Sequence, residues 1–317
     1  MKTVLVTGGT GLVGSAIAEV ILANKPVDEE WVFVSSRDAN LCDKESTAAL
    51  FARYKPTHVI HLAAKVGGLF ANMSHNLEFF RDNLEMNNNV YEECRKWKVS
   101  KLVSCLSTCI FPEKAEFPVD ETNIHDGPPH PTNEGYAYAK RMMDVQNRLY
   151  REQYGCKFTS IIPSNVFGKH DNFNLDSSHV IPGMIHRCYL CKKHDKSMSI
   201  YGSGKLLRQF VFAPDLAKVF IWALHHYEDP EPLIVSGGTE HEFSISYIAE
   251  TIASCFNFHG SLFFDTSRAD GVFKKTANDL KMRRLLPDFH FTPFEEALAV
   301  TVQWFVENYE KPEAIRL

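Results

Sequence analysis

A glycine-rich turn set between an apolar strand and a helix leaves a chain few folds to adopt. Val4-Leu-Val-Thr7 reads as a short buried strand, and Gly8, Gly9, Thr10, Gly11, Leu12, Val13 and Gly14 carry it into a helix predicted to run to about Ala23. Lacking Cβ atoms, the glycines let the backbone approach a pyrophosphate, whose charge sits at the positive helix N-terminus. The glycine pattern alone is weak evidence. Here it follows a strand, opens a helix and heads an alternating series, which points to dinucleotide binding rather than to a structural turn.

Trp31-Val-Phe-Val-Ser35 is the second predicted strand. A site for NAD usually places Asp or Glu near its end, to hold the ribose 2′-hydroxyl. This chain offers Ser35, Ser36 and Arg37 instead. Hydroxyls beside a guanidinium suit a 2′-phosphate, so the expected cofactor is NADP(H). The strand within Thr57-His-Val-Ile-His-Leu-Ala-Ala64 ends in small residues, and Ala63 and Ala64 leave room for a cofactor against the backbone. A long helix over Asn76–Lys96 and a strand over Lys101–Ser107 follow. Ser107 and Cys109 are two apart, so in extended chain both face one way. Past a loop crowded with Pro, Gly and Asn comes the helix carrying Tyr136 and Lys140.

Further strands and helices are expected at Phe158–Pro163, Val180–Lys193 and from Phe210 to near Tyr227, with a last helix over Phe294–Tyr309. This alternation predicts an α/β fold: a doubly wound Rossmann-type parallel sheet with a smaller C-terminal substrate-binding domain. The boundaries read as 1–165 for the NADP-binding domain, with a return segment at about 208–236, and 166–207 plus 237–317 for the substrate domain.

A tyrosine and a lysine four apart meet on one helix face. An ammonium beside Tyr136 is expected to pull a phenol pKa of about 10 toward neutrality, fitting it to exchange a proton with a carbonyl or an alcohol. Alone, Tyr-x3-Lys is as readily a solvated helix face. Net charge is −5 with no basic stripe, which argues against nucleic acid. The first residues enter a strand directly and no apolar run could span a bilayer, so neither signal peptide nor membrane is expected. Eight scattered cysteines suit reduced thiols in the cytosol. His186, Cys188, Cys191 and His194 have the composition of a metal cluster. They share one predicted helix without a second ligand pair, so no metal site is expected.

Glycine loop, a serine on a later strand and Tyr-x3-Lys, in that order, resemble the extended short-chain dehydrogenase/reductase superfamily. Ser107-Thr-Cys-Ile-Phe-Pro112, Asn165-Val-Phe-Gly168, His179-Val-Ile-Pro182, Tyr201-Gly-Ser-Gly204 and Arg208-Gln-Phe210 are similar to the GDP-L-fucose synthase family within it. The resemblance covers nearly the whole chain. It implies a bifunctional 3,5-epimerase and 4-reductase acting on GDP-4-keto-6-deoxy-mannose. Cys109 would be the base and His179 the acid of epimerisation; Tyr136 would donate the proton in reduction, aided by Ser107 and Lys140. Pro163, Asn165, Val166, His179 and Lys140 would join the glycine loop around the cofactor, and Arg187, Tyr201, Arg208 and Asp270 would contact the substrate. Tyr201 stands where the family is expected to carry tryptophan. Without the resemblance, Cys109 reads as a structural thiol and His179 as a loop histidine; Lys274 and Lys275, near Asp270, read equally as a solvated pair or as substrate contacts. The resemblance also implies a homodimer packed through helices near residues 76–96 and 137–153. Rival readings are a 4-epimerase that retains NAD and a dinucleotide-binding regulator without catalysis.

Arg37→Ala should raise the KM for NADPH far more than for NADH, a loss of about 1.5–3 kcal/mol for one charged contact to a 2′-phosphate. Steady-state kinetics with both cofactors decides it. Equal weakening would remove Arg37 as the phosphate reader.

Overall fold

Strand β1 (Lys2–Thr7) takes β2 (Glu29–Val34) on one side and β3 (His58–His61) on the other, both parallel. Beyond β3 the sheet continues through β4 (Lys101–Cys105), β5 (Phe158–Pro163) and β9 (Leu233–Val235), again all parallel. The order β2-β1-β3-β4-β5-β9 reverses direction at β1. Ligands of doubly wound sheets bind beyond the carboxyl ends of the strands at such a reversal. Val4, Leu5 and Val6 are wholly buried, as expected of a central strand covered on both faces. The computed structural model describes residues 1–267 and 273–317.

Helices α1 (Leu12–Asn24), α2 (Lys44–Tyr54), α3 (Leu69–Ser74), α4 (Asn76–Lys96), α5 (Glu134–Tyr154) and α7 (Ala213–His226) accompany this sheet. Helix α2, which the sequence reading passed over, starts at Asp43, whose carboxylate accepts the Ser46 N–H at 2.6 Å. Helices α4 and α5 pack along each other. Beneath them Tyr91 Oη lies 2.9 Å from Ser104 Oγ and donates to Asn147 Oδ1, and Asn147 Nδ2 donates to Ser160 Oγ. Each buried polar group there has a partner, which avoids the penalty of desolvating it alone.

The chain divides into two compact units, one of residues 1–115, 120–163 and 214–235, the other of 116–119, 164–213 and 236–317. The second holds a sheet of β6 (Asn165–Phe167), β8 (Leu207–Phe212) and β10 (Glu242–Ser244), and a parallel pair of β7 (Met198–Tyr201) and β11 (Leu262–Asp265). Helices α6 (Val180–Lys193), α8 (Ile245–Cys255), α9 (Leu280–Leu285) and α10 (Phe294–Asn308) complete it. Phe167 is the hub of its core, with the Phe294 ring at 5.6 Å and Phe210 and Phe212 beside it.

Strand β8 corrects the sequence reading, which placed the chain from about 208 with the first domain. It pairs with β6 and β10, and buried Gln209 donates to the Gly238 and Ala277 carbonyls and accepts the Ala277 N–H. The return to the first unit begins only at Pro214. Alternation announces a strand but not the edge it will join, so Phe210-Val-Phe suited either sheet.

Gly8 tests how tightly the first turn is built. Its φ is +68°, and an added Cβ would lie 2.8 Å from the Ala63 nitrogen and 3.0 Å from the Leu62 carbonyl carbon. Gly8→Ala should therefore cost at least about 2 kcal/mol, from backbone strain and a clash with main chain that cannot swing aside. Thermal denaturation reads this, and an unchanged Tm would mean that the turn absorbs a side chain freely.

Candidate active site

The turn after β1 has the features a pyrophosphate requires. Gly14 faces the Gly8 carbonyl so closely that a Cβ would come within 2.5 Å of it, and one on Gly9 would meet Phe33 at 2.7 Å. Gly11 is the N-cap of α1, and among the described residues no side chain caps the first turn and no acid lies in it. Its N–H groups and dipole are thus available to an anion. The residues present fit a dinucleotide. Ala63, just past β3, donates its N–H to Thr7 Oγ1 at 3.3 Å, which brings the two strand ends together.

At the end of β2 the chain turns back on itself. Ser35 donates both its N–H and its hydroxyl to Asp38 Oδ2, and its oxygen accepts the Arg37 N–H at 3.2 Å. These bonds hold the Asp38 carboxyl below its usual range. Ser35 is therefore committed to the turn, which leaves Ser36 and Arg37, both exposed, as the groups able to meet a phosphate.

The first unit brings four predicted catalytic residues together. Beyond β4 the backbone is not extended through Cys109: Thr108–Ile110 forms a 3-10 turn capped by Ser107, whose Oγ accepts the Cys109 N–H at 3.4 Å. The expectation that Ser107 and Cys109 project from a strand is thus corrected, because the cap bends the chain. An oxygen that accepts here keeps its own hydrogen to donate. Lys140 is almost wholly buried; its Nζ donates to the Cys105 carbonyl at 2.7 Å and lies 5.7 Å from the centre of the Tyr136 ring.

Burial, not the ammonium, governs Tyr136. Desolvation drives its pKa well above the usual phenol value, and the nearby Cys109 and Cys105 thiols, if charged, push it further. Burial also lowers Lys140, against the pull of the same two thiols. This reverses the expected shift toward neutrality, since the dry site penalises the phenolate more than the distant ammonium favours it. A tyrosine that keeps its proton is a donor to a developing alkoxide.

The second unit holds the rest. His179 is the N-cap residue of α6, its carbonyl accepting the Gly183 N–H, and its imidazole pKa is lowered by surrounding protein. Arg187 lies over the exposed Tyr201 ring at 5.5 Å. Arg208 Nη1 donates to the Leu207 carbonyl at 2.7 Å and faces Glu242, while burial lowers its pKa. Asn165 and Val166 lie in β6, one strand past Pro163, the last residue of β5. Lys274 pairs with Glu242 at 2.9 Å. Asp270 falls outside the described residues. His186 of the apparent metal cluster turns inward, its Nδ1 donating to the Phe173 carbonyl, and Cys188 is buried in the core.

Residues 4–236 match the model of the NAD dependent epimerase/dehydratase family. The GDP-L-fucose synthase of Dictyostelium discoideum is 55% identical over 309 residues, covering 98% of this chain and 97% of that one. The Escherichia coli enzyme of the same name is 32% identical, with 98% of each chain covered. A crystal structure of a GDP-L-fucose synthetase from Naegleria fowleri bound to NADP superposes with a TM-score of 0.95 at 46% identity, covering 100% of this chain and 95% of that one. The chain belongs to the GDP-L-fucose synthase family.

In this member of the family, sequence reasoning missed a buried cation one residue past Lys140. Arg141 donates through Nε to the Ile110 carbonyl at 3.1 Å, through Nη2 to the same oxygen, and through Nη1 to the Gly127 carbonyl at 2.8 Å. It fastens the turn bearing Cys109 to the helix bearing Tyr136. The available signal was weak: two adjacent cations on a helix ordinarily read as a solvated pair. Arg141→Met keeps the apolar length but strands the buried Ile110 carbonyl and the half-buried Gly127 carbonyl, so stability should fall by roughly 1–4 kcal/mol. A urea titration measures this, and a midpoint unchanged from the parent would show that the carbonyls find other donors.

Proposed function

We propose that this chain converts GDP-4-keto-6-deoxy-mannose to GDP-L-fucose with NADPH, inverting C3 and C5 and then reducing C4. The observation that carries this reading is the convergence of the Ser107–Cys109 turn with Tyr136 and Lys140, beside a glycine cradle fit for a dinucleotide. The family's named activity supports it.

A 4-keto group acidifies the hydrogens on both neighbouring carbons. Cys109 Sγ, as thiolate, takes the proton from C3 or C5, and the electron pair moves onto the C4 oxygen. His179 returns a proton to the opposite face of the same carbon, the imidazole being the side chain that exchanges a proton most readily near neutral pH. NADPH, when bound, supplies the hydride for C4. Tyr136 Oη gives its proton to the C4 oxygen, and Ser107 Oγ donates a hydrogen bond to that oxygen as charge develops. Lys140 holds the nicotinamide ribose and offsets negative charge beside Tyr136. Ser36 and Arg37 hold the 2′-phosphate; Arg187 and Arg208 serve the substrate diphosphate, and Tyr201 offers an aromatic face to the nucleotide sugar.

The working unit is a homodimer formed through α4 and α5, and the compartment is the cytosol. Support for the first comes from exposed Leu77 and Leu149 on those helices; for the second, from eight thiols that form no disulfide.

The two half-reactions separate by mutation. Tyr136→Phe in D₂O should still wash deuterium into C3 and C5 while hardly oxidising NADPH. Cys109→Ala should lose the exchange and yield no fucose, yet still reduce some keto sugar without inversion. NMR of the recovered sugar reads both. Full exchange at both carbons in Cys109→Ala would place the base elsewhere.

A further inference from the structure

His61 ends β3 only 1% exposed, an imidazole in the core that the mechanism above does not use. Its Nδ1 lies 2.7 Å from Thr7 Oγ1 and its Nε2 lies 3.1 Å from Asn87 Oδ1. Asn87 is itself 1% exposed on α4, and its Nδ2 donates to the carbonyl of Ala139, the residue before Lys140, at 3.3 Å. The bonds therefore run without a break from the glycine turn to the helix of Tyr136 and Lys140.

Their directions follow from the donor inventory. Asn87 uses its amide nitrogen on Ala139, so its oxygen faces His61 and Nε2 carries the hydrogen. Nδ1 is then bare and accepts the Thr7 hydroxyl, while the Thr7 oxygen accepts the Ala63 N–H at 3.3 Å. Every member gives in one direction: Ala63 to Thr7, Thr7 to His61, His61 to Asn87, Asn87 to Ala139. A second proton on His61 would confront the Thr7 hydroxyl hydrogen and bring a cation near the Lys140 ammonium. Burial and that ammonium together hold the imidazole pKa down to about 4. The groups facing the ring from β1, α4 and α5 are thus Thr7, Asn87 and Lys140, of which Lys140 carries charge.

We infer that His61 and Asn87 are positioning residues, which fix the stretch of α5 bearing Lys140 against the strand ends that seat the dinucleotide. Packing alone would favour an apolar side chain at the end of β3. A buried imidazole costs free energy unless both nitrogens are satisfied, and here both are, by groups on two different elements. Thr7 precedes Gly8 and Ala63 touches it, so a displacement of the cofactor seat moves the first link. Asn87 moves the last. The inference rests on the reading of Lys140 as the nicotinamide-side lysine.

Asn87→Leu removes both of its links without adding charge. With saturating cofactor and keto sugar, kcat for NADPH oxidation should fall about 10- to 100-fold, the scale of a small misplacement at a reacting centre. Deuterium exchange at C3 and C5 should stay within about threefold, since it does not need Tyr136 or Lys140 in register. His61→Gln, which keeps a donor toward Asn87 but loses the Thr7 end, should fall between the two. A purely structural role predicts instead that both half-reactions fall in step with Tm. That outcome, or a parental kcat in Asn87→Leu, overturns the inference.

A second arm needs no turnover. In ¹⁵N-histidine spectra of the cofactor-free protein, the signal lost in His61→Asn should be a neutral ring protonated at Nε2, unchanged from about pH 5.5 to about 8.5. Asn87→Asp should raise its pKa into that range by placing a carboxylate beside it. A ring protonated at Nδ1, or one that titrates near 6.5 in the parent protein, refutes the directed chain. If the parent chain shows no NADPH-dependent reduction, the proposed function fails, while these spectra still decide the tautomer.

Discussion

A buried ammonium on a backbone carbonyl sets the terms for the first unit. Lys140 is 3% exposed and its Nζ reaches the Cys105 carbonyl at 2.7 Å, at the end of a central parallel strand. Removing a cation from water is costly, and here a main-chain carbonyl at a fixed strand end takes the ammonium. The carbonyl of Cys105 points where β4 ends, and the helix that delivers Lys140 is fastened by Arg141 to Ile110 and by Asn87 to α4. Several anchors converge on one short stretch of α5, which is the rigidity that proton transfer at a defined atom needs.

That dryness also decides the acid–base character of the site. Tyr136 keeps its proton because burial outweighs the field of a lysine that sits beside its ring rather than at its oxygen. Cys109 enters the same balance, since its charge would raise Tyr136 further. Thiolate and phenolate disfavour one another here. A charged Cys109 would therefore leave Tyr136 all the more firmly protonated.

The second unit follows different physics. Its core mixes aliphatic side chains with a cluster of rings where Phe167, Phe210, Phe243 and Phe294 meet, and buried Gln209 is fixed by main-chain partners. Buried Gln209 binds two loops at once, and its neighbour Arg208 is set along the Leu207 carbonyl. Tyr201 and Arg208 thus stand on strands, Arg187 within α6 and His179 at its start.

Much of the first unit was legible in the residues. Gly8, Gly9, Gly11 and Gly14 admit close backbone approach because they lack Cβ atoms, a property of composition that needs no tertiary context, and Asn76–Lys96 announced a helix by its pattern. Ser107, Cys109, Tyr136 and Lys140 were legible as types at fixed spacings. The sequence could not say that Thr108–Ile110 turns instead of extending, or that β8 joins the second sheet, since each depends on a cap or an edge supplied by distant chain. Nor could it give the Tyr136 shift, the clamp of Arg141 or the inward turn of His61. Local chemistry is written in the residue types; solvent exclusion and the partners of buried polar groups exist only once strands far apart in sequence lie side by side.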